Sequence, residues 1–147
     1  MFAKILVAVD GSEVSSRVLD AAIAMAQKFD AQVSLLHVVR EMQLPKNLGL
    51  MQEYEAVNRQ RHDLLNSVGE QIINQATRTT ESKGVSVAGS DIGTGDPATA
   101  IIKQADKVGA DLIIIGSRGL GEVEGMLLGS VSRKVSNTAK VPCLIIK

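Results

Sequence analysis

Short blocks of aliphatic and β-branched residues alternate along this chain with longer segments whose apolar positions recur every three or four residues. That alternation leaves few folds open, because strands that are apolar on both faces need helices above and below them. The block Ile5-Leu6-Val7-Ala8-Val9 is apolar throughout and reads as a central strand. Val14, Val18, Leu19, Ala22, Ile23 and Ala26 then form one helical stripe, with Ser12 placed as N-cap and an end near Asp30. Val33 to Val39 reads as a second strand. From Pro45 onward the chain reads as irregular, with Glu41 to Tyr54 its least predictable part, until Leu64, Leu65, Val68, Ile72, Ile73 and Ala76 give a second helical stripe.

Val85 to Ile92 is a weaker strand, and its Gly89 and Ser90 suit a sheet edge. Asp96 and Pro97 start a third helix with Ile101, Ile102, Ala105 and Val108 on its buried face. Leu112 to Ile115 is the fourth strand, Leu128 to Thr138 has room for a fourth helix, and Pro142 to Ile146 closes as an edge strand. Right-handed crossovers between such elements predict one α/β domain over 1–147: a doubly wound, five-stranded parallel sheet sandwiched by four helices.

Composition removes several function classes. Sixteen basic and sixteen acidic side chains cancel without a long run of either sign, so no footprint for duplex nucleic acid is present. With no Trp, one Tyr and two Phe, a stacking platform for single strands is equally unsupported. Cys143 is the only cysteine, which excludes an internal disulfide or a thiolate metal cluster and suits a reducing compartment. Neither a signal-like leader nor an apolar run of membrane-spanning length is evident, so the expected location is the cytoplasm.

The chemistry concentrates after the fourth strand. Gly116-Ser117-Arg118-Gly119 is followed by nine residues and then Gly129-Ser130-Val131-Ser132. A polyphosphate approaches backbone N–H groups closely where no Cβ intervenes and where φ can be positive, and both conditions favour glycine. Ser130 and Ser132 add hydroxyl donors at the expected start of the last helix, whose unpaired amides and dipole attract an anion. Ligands of open α/β sheets bind where strand order reverses, here between strands one and four. Asp10 stands there, able to accept from a ribose hydroxyl, and the end of strand two around Val38 offers backbone groups to a base edge.

Other phosphate motifs fit less well. No lysine falls between Gly116 and Gly129, against a P-loop, and the first strand is followed only by Asp10-Gly11-Ser12, against a dinucleotide fingerprint. His37 has no acid, cysteine or second histidine arranged around it, and is read as structural; His62 is read as solvent-facing. Cys143 is read as a small core residue rather than a nucleophile.

From Ile5-Leu6-Val7-Ala8-Val9-Asp10-Gly11-Ser12 to Val141-Pro142-Cys143-Leu144-Ile145-Ile146, the chain resembles a universal stress protein of the ATP-binding type. The most specific part is Gly-x2-Gly-x9-Gly-Ser/Thr, matched by Gly116, Gly119, Gly129 and Ser130. The resemblance implies a Rossmann-like fold similar to the adenine nucleotide alpha-hydrolases. It implies phosphate binding by those residues with Val131 and Ser132, Val9 and Asp10 at ribose and adenine, and Val38 at adenine. Arg118 is a candidate phosphate contact. It further implies a regulatory, stress-response role and a homodimer through the closing edge strand, Val141 to Lys147.

Glu122, Glu124 and Gly125 stand where similar proteins often carry basic residues. Two carboxylates disfavour a triphosphate unless Arg118, Arg133 or Mg²⁺ offsets them, so ATP, ADP, AMP and a cyclic nucleotide all stay open. With no general base in view, hydrolysis is expected to be slow at most. A Mg²⁺-dependent ATPase using Asp10 to orient water is the first alternative. A receiver-like domain with Asp91 as phospho-acceptor is the second, although Gly11 and Ser12 stand where it needs a further acid.

Overall fold

The structure, a computed structural model, describes residues 1–41, 51–119 and 128–147. The stretch around Pro45 lies outside the described residues, as do Glu122, Glu124 and Gly125.

The described elements run β1 (Lys4–Ala8), α1 (Glu13–Phe29), β2 (Gln32–Val39), α2 (Met51–Ser82), β3 (Val87–Thr94), α3 (Pro97–Val108), β4 (Leu112–Gly116), α4 (Ser130–Thr138) and β5 (Cys143–Ile146). All pairings are parallel, in the order β3-β2-β1-β4-β5. The doubly wound sheet with β1 at its centre is therefore as expected, and β3 and β5 are its edges. Ile5 sits between Val33 on one side and Leu112 on the other.

Period-two geometry sends alternate strand residues to opposite layers. Ile5, Val7, Val33, Leu35, Leu112 and Ile114 pack under α1 and α2, against Val18, Leu19, Ala22, Ile23, Ile73 and Ala76. Leu6, Leu36, Ile113 and Ile115 face the other way, against Ala98, Ile101, Ala105 and Val135 of α3 and α4. Each fully buried Ile, Leu or Val contributes about 1.5–3 kcal/mol, so the two aliphatic layers carry the fold with little aromatic help. One edge-to-face pair, Phe2 on Phe29 with centroids 5.5 Å apart, packs at the margin of the first layer.

Local chemistry ends the helices where the sequence says. The Ser12 hydroxyl accepts from Ser15 N at 3.2 Å, and Asp30 caps the other end of α1 in the left-handed region, with φ 53°. Asp96 accepts from Thr99 N at 3.0 Å, and Pro97 occupies the first turn of α3.

Two expectations need correction. Helix α2 begins at Met51, so the chain expected to be irregular from Pro45 onward is already helical well before Leu64. Leu64 and Val68, placed on its buried stripe, are 64% and 43% exposed. Among the described residues the helix reaches the core from Ile72 onward, through Ile73 and Ala76, and Leu64 and Val68 precede that section. Strand ends also move by a residue or two: β1 runs Lys4–Ala8, β3 starts at Val87 and β5 at Cys143.

Candidate functional site

The C-terminal ends of β1 and β4 flank the point where strand order reverses, and the turns that follow them build one site. After β1 the chain passes through Val9, Asp10 and Gly11, the last with φ +81°. The Asp10 carboxylate accepts from Ser12 N at 2.9 Å, while its own N–H donates to the Ser15 hydroxyl at 3.0 Å. Those two bonds tie the half-buried Asp10 to the first turn of α1 and fix where its carboxylate stands.

After β4, the Ser117 carbonyl gathers the second turn. It accepts from Gly129 N at 2.6 Å and from the Ser132 hydroxyl at 3.0 Å, and Ser117 N donates to the Ile146 carbonyl at 2.7 Å. Gly129 is then the N-cap of α4 and supplies no side-chain cap. The N–H groups of the first turn, Ser130, Val131 and Ser132, precede the first in-helix bond, which Arg133 N makes to Gly129 O at 3.0 Å. A helix start without a side-chain cap among the described residues presents amides and a positive dipole end to an anion.

Space explains two of the glycines. A Cβ on Gly119 would stand 2.7 Å from Asp10 Oδ2, and one on Gly116 would stand 3.0 Å from Val14 Cγ1 and 3.1 Å from the Arg118 carbonyl. Positive φ does not explain them: Gly116 and Gly119 are outside the left-handed region, and Gly129 has φ −71°. The freedom expected of the motif is thus one of volume and not of dihedral angle.

A cavity of about 300 Å³ joins the two turns. Its wall includes Val9, Asp10, Val38, Gly116, Arg118, Gly119, Gly129, Val131 and Ser132, nine of the ten residues expected at a ligand site. The tenth, Ser130, is exposed and outside that wall. Ser132 is present in a different role from the expected one. Its buried hydroxyl points back to the Ser117 and Gly129 carbonyls, at 3.0 and 3.1 Å, so it braces the loop instead of facing the cavity as a donor. Arg133 is not part of the wall either; its guanidinium reaches the Leu128 carbonyl at 3.4 Å.

Sequence reasoning missed the α2 side of the cavity. Arg61, Leu65, Val68 and Ile72 line it from that helix, and Arg40 lines it from beyond β2. The spacing of Arg61, Leu65, Val68 and Ile72 along one helical face was the available signal. His37, also on the wall, is buried and bonds through Nδ1 to the Val9 carbonyl at 2.9 Å, in keeping with a structural reading. His62 is exposed, as expected, and accepts from Asn66 at Nδ1, 3.1 Å away.

Asp91, the alternative phospho-acceptor, lies in the edge strand β3 and accepts from Gln104 Nε2 at 2.7 Å. It is absent from the cavity wall, where Asp10 is the only carboxylate among the described residues. Burial pushes the Cys143 thiol up from its ordinary range, which favours the protonated, unreactive form. Among the described residues no three His, Cys, Asp or Glu side chains converge as a metal cage. No helix among them is long and apolar enough to cross a membrane.

Residues 1–147 match the model of the universal stress protein family along their whole length. The chain belongs to the universal stress protein family. Universal stress protein YxiE of Bacillus subtilis is 37% identical over an alignment covering all of both chains. Among solved structures, universal stress protein UspA from Lactobacillus plantarum shares the fold with a TM-score of 0.86, at 21% identity, over 99% of this chain and 97% of that one. Two further universal stress proteins sharing the fold were solved with ligands. One, in complex with cAMP, has a TM-score of 0.70 at 24% identity, over 99% and 97% of the two chains. The other, from Archaeoglobus fulgidus and in complex with dAMP, has a TM-score of 0.65 at 23% identity, over 99% and 98%.

Proposed function

We propose that this universal stress protein binds an adenine nucleotide in the cavity between the β1 and β4 turns and acts as a cytoplasmic, nucleotide-dependent stress-response module. The observation that carries the reading is the convergence of Asp10, Gly119 and the uncapped start of α4 on that one cavity. In this reading the amides of Ser130, Val131 and Ser132 take phosphate, with Gly116, Gly119 and Gly129 leaving room and Arg118 adding charge. Asp10 accepts from the ribose hydroxyls, and Val9 and Val38 border the base. That two universal stress proteins of this fold were solved in complex with cAMP and with dAMP supports the reading.

The residues fit a nucleotide better than a separate metal. With Asp10 the only described carboxylate on the wall, Mg²⁺ would enter with ATP or ADP and not ahead of it. Hydrolysis is slow at most in this reading, because besides Asp10 the one described wall residue able to take a proton is His37, whose ring is held between the Val9 carbonyl and Gly69. Turnover well above the uncatalysed rate, lost in Asp10→Ala, would establish the ATPase reading instead. We also propose a homodimer through the closing edge strand, Val141 to Lys147, and the edge position of β5 supports it.

Mass spectrometry of whatever co-purifies, followed by calorimetry with AMP, ADP, ATP and cAMP with and without Mg²⁺, tests the nucleotide reading. At least one of the four is expected to bind. No co-purifying nucleotide and no heat with any of them at millimolar concentration would sink it.

A further inference from the structure

His37 is buried, 8% exposed, and lies between the cavity and helix α2. Its Nδ1 is 2.9 Å from the carbonyl of Val9, one residue beyond the end of β1. A carbonyl can only accept, so Nδ1 carries the proton and the neutral ring has its acceptor at Nε2. The opposite edge of the ring meets Gly69 of α2. A Cβ built there would stand 2.8 Å from His37 Cδ2 and 3.4 Å from Nε2. The helix backbone therefore rests on the imidazole at a position where any side chain would push it away.

We propose that His37 is a positioning residue for the nucleotide site, holding the Val9–Asp10 backbone at the base-and-ribose end while itself held in place by the close seating of α2 at Gly69. The inference rests on the adenine-nucleotide reading of the cavity. Three links support it. Val9 is buried and immediately precedes Asp10, so releasing its carbonyl loosens the turn that aims the carboxylate. The same helix that carries Gly69 also lines the cavity through Leu65, Val68 and Ile72, so the ring and that stretch of the wall lean on one helix. Ligand affinity and the seating of α2 are then linked, each favouring the other.

Calorimetry with AMP and ADP on His37→Phe, His37→Asn and Gly69→Ala tests this. Phenylalanine keeps a ring but removes the donor, and affinity is expected to fall about tenfold. Asparagine keeps an N–H near the position of Nδ1 and is expected to recover most of the loss. Gly69→Ala is expected to weaken binding in the native background but to cost little in His37→Asn, where the shorter side chain vacates the place of Cδ2. Long-range ¹⁵N spectra of the native protein are expected to show the Nδ1–H tautomer.

Native affinity in both His37→Phe and Gly69→Ala, with or without a fall in melting temperature, would overturn the proposal and leave the nucleotide reading standing. So would an Nε2–H tautomer. Failure of the native protein to bind any nucleotide would overturn both together. Should His37→Phe not fold, the pairing of Gly69→Ala with His37→Asn and the tautomer decide the matter.

Discussion

A side chain at Gly119 would collide with the carboxylate of Asp10, its Cβ standing 2.7 Å from Oδ2. The obstacle is the end of a side chain, so the fold survives the substitution and Asp10 moves. Gly119→Ala is therefore expected to leave the melting temperature nearly unchanged while weakening nucleotide binding. Asp10→Ala is expected to cost about 1.5–3 kcal/mol of affinity, the worth of a hydrogen bond to a charged group. The double variant is expected to be no weaker than Asp10→Ala alone. Additive losses by calorimetry would show that the two residues act separately.

Gly129 sets stability against binding. As an N-cap without a side chain it leaves the first amides of α4 to another acceptor. In Gly129→Ser the hydroxyl caps the helix itself, a gain of a few tenths of a kcal/mol, and competes with phosphate for the same N–H groups. A melting temperature at or above native together with weakened nucleotide binding is the expected result. Undiminished affinity would place the phosphate elsewhere.

Asp96 makes the contact between α3 and α4 sensitive to acid. Hydrogen bonds from the Thr99 hydroxyl, the Lys134 ammonium and the Thr99 amide, in that order, hold its carboxyl down to about 2 from an ordinary 3.8. Its native pKa lies below its unfolded one, so the stability it contributes is present above about pH 4 and disappears as pH falls toward 2. The effect is small, because both side chains of the Lys134 pair are 54% exposed. Denaturant titrations of the native chain and Asp96→Asn are expected to differ at pH 7 and to converge near pH 2. An equal gap at both values would show that the carboxylate's charge is irrelevant.

The β5 edge is expected to pair with a second copy. Every residue from Cys143 to Ile146 remains half-buried, and among the described strands β5 pairs with β4 alone. A charge at Ile145 places its desolvation cost on that edge. Sedimentation of Ile145→Lys is expected to give a monomer with a native circular dichroism spectrum. A folded variant that keeps dimer mass would put the interface elsewhere.

How far the sequence carries differs between the two halves of the site. The β4–α4 half was legible because backbone chemistry leaves a compositional trace: glycines at fixed spacing, then serines opening a helix. Asp10 was legible because topology alone puts the end of β1 beside that loop. The α2 wall was not, because Arg61, Leu65 and Val68 belong to a stretch whose apolar positions look like ordinary core. Leu64 and Val68 show the limit, since periodicity says which residues share a face and not whether anything covers it. The Ser132 hydroxyl shows another. A serine at a helix start can cap, bond backwards or face a ligand, and only the 3.0 Å contact with Ser117 O decides among them.

Ile5 is hydrogen-bonded into a ladder beside Leu112, so the pairing of β1 with β4 closes a span of more than a hundred residues. During synthesis the first strand can dock on β2 early, but its other side waits until β4 has left the ribosome. The proposed nucleotide cavity, which needs the turns after both strands, comes into being only then. A nucleotide bound there would stabilise the finished chain by mass action, yet would have nothing to hold on a nascent one.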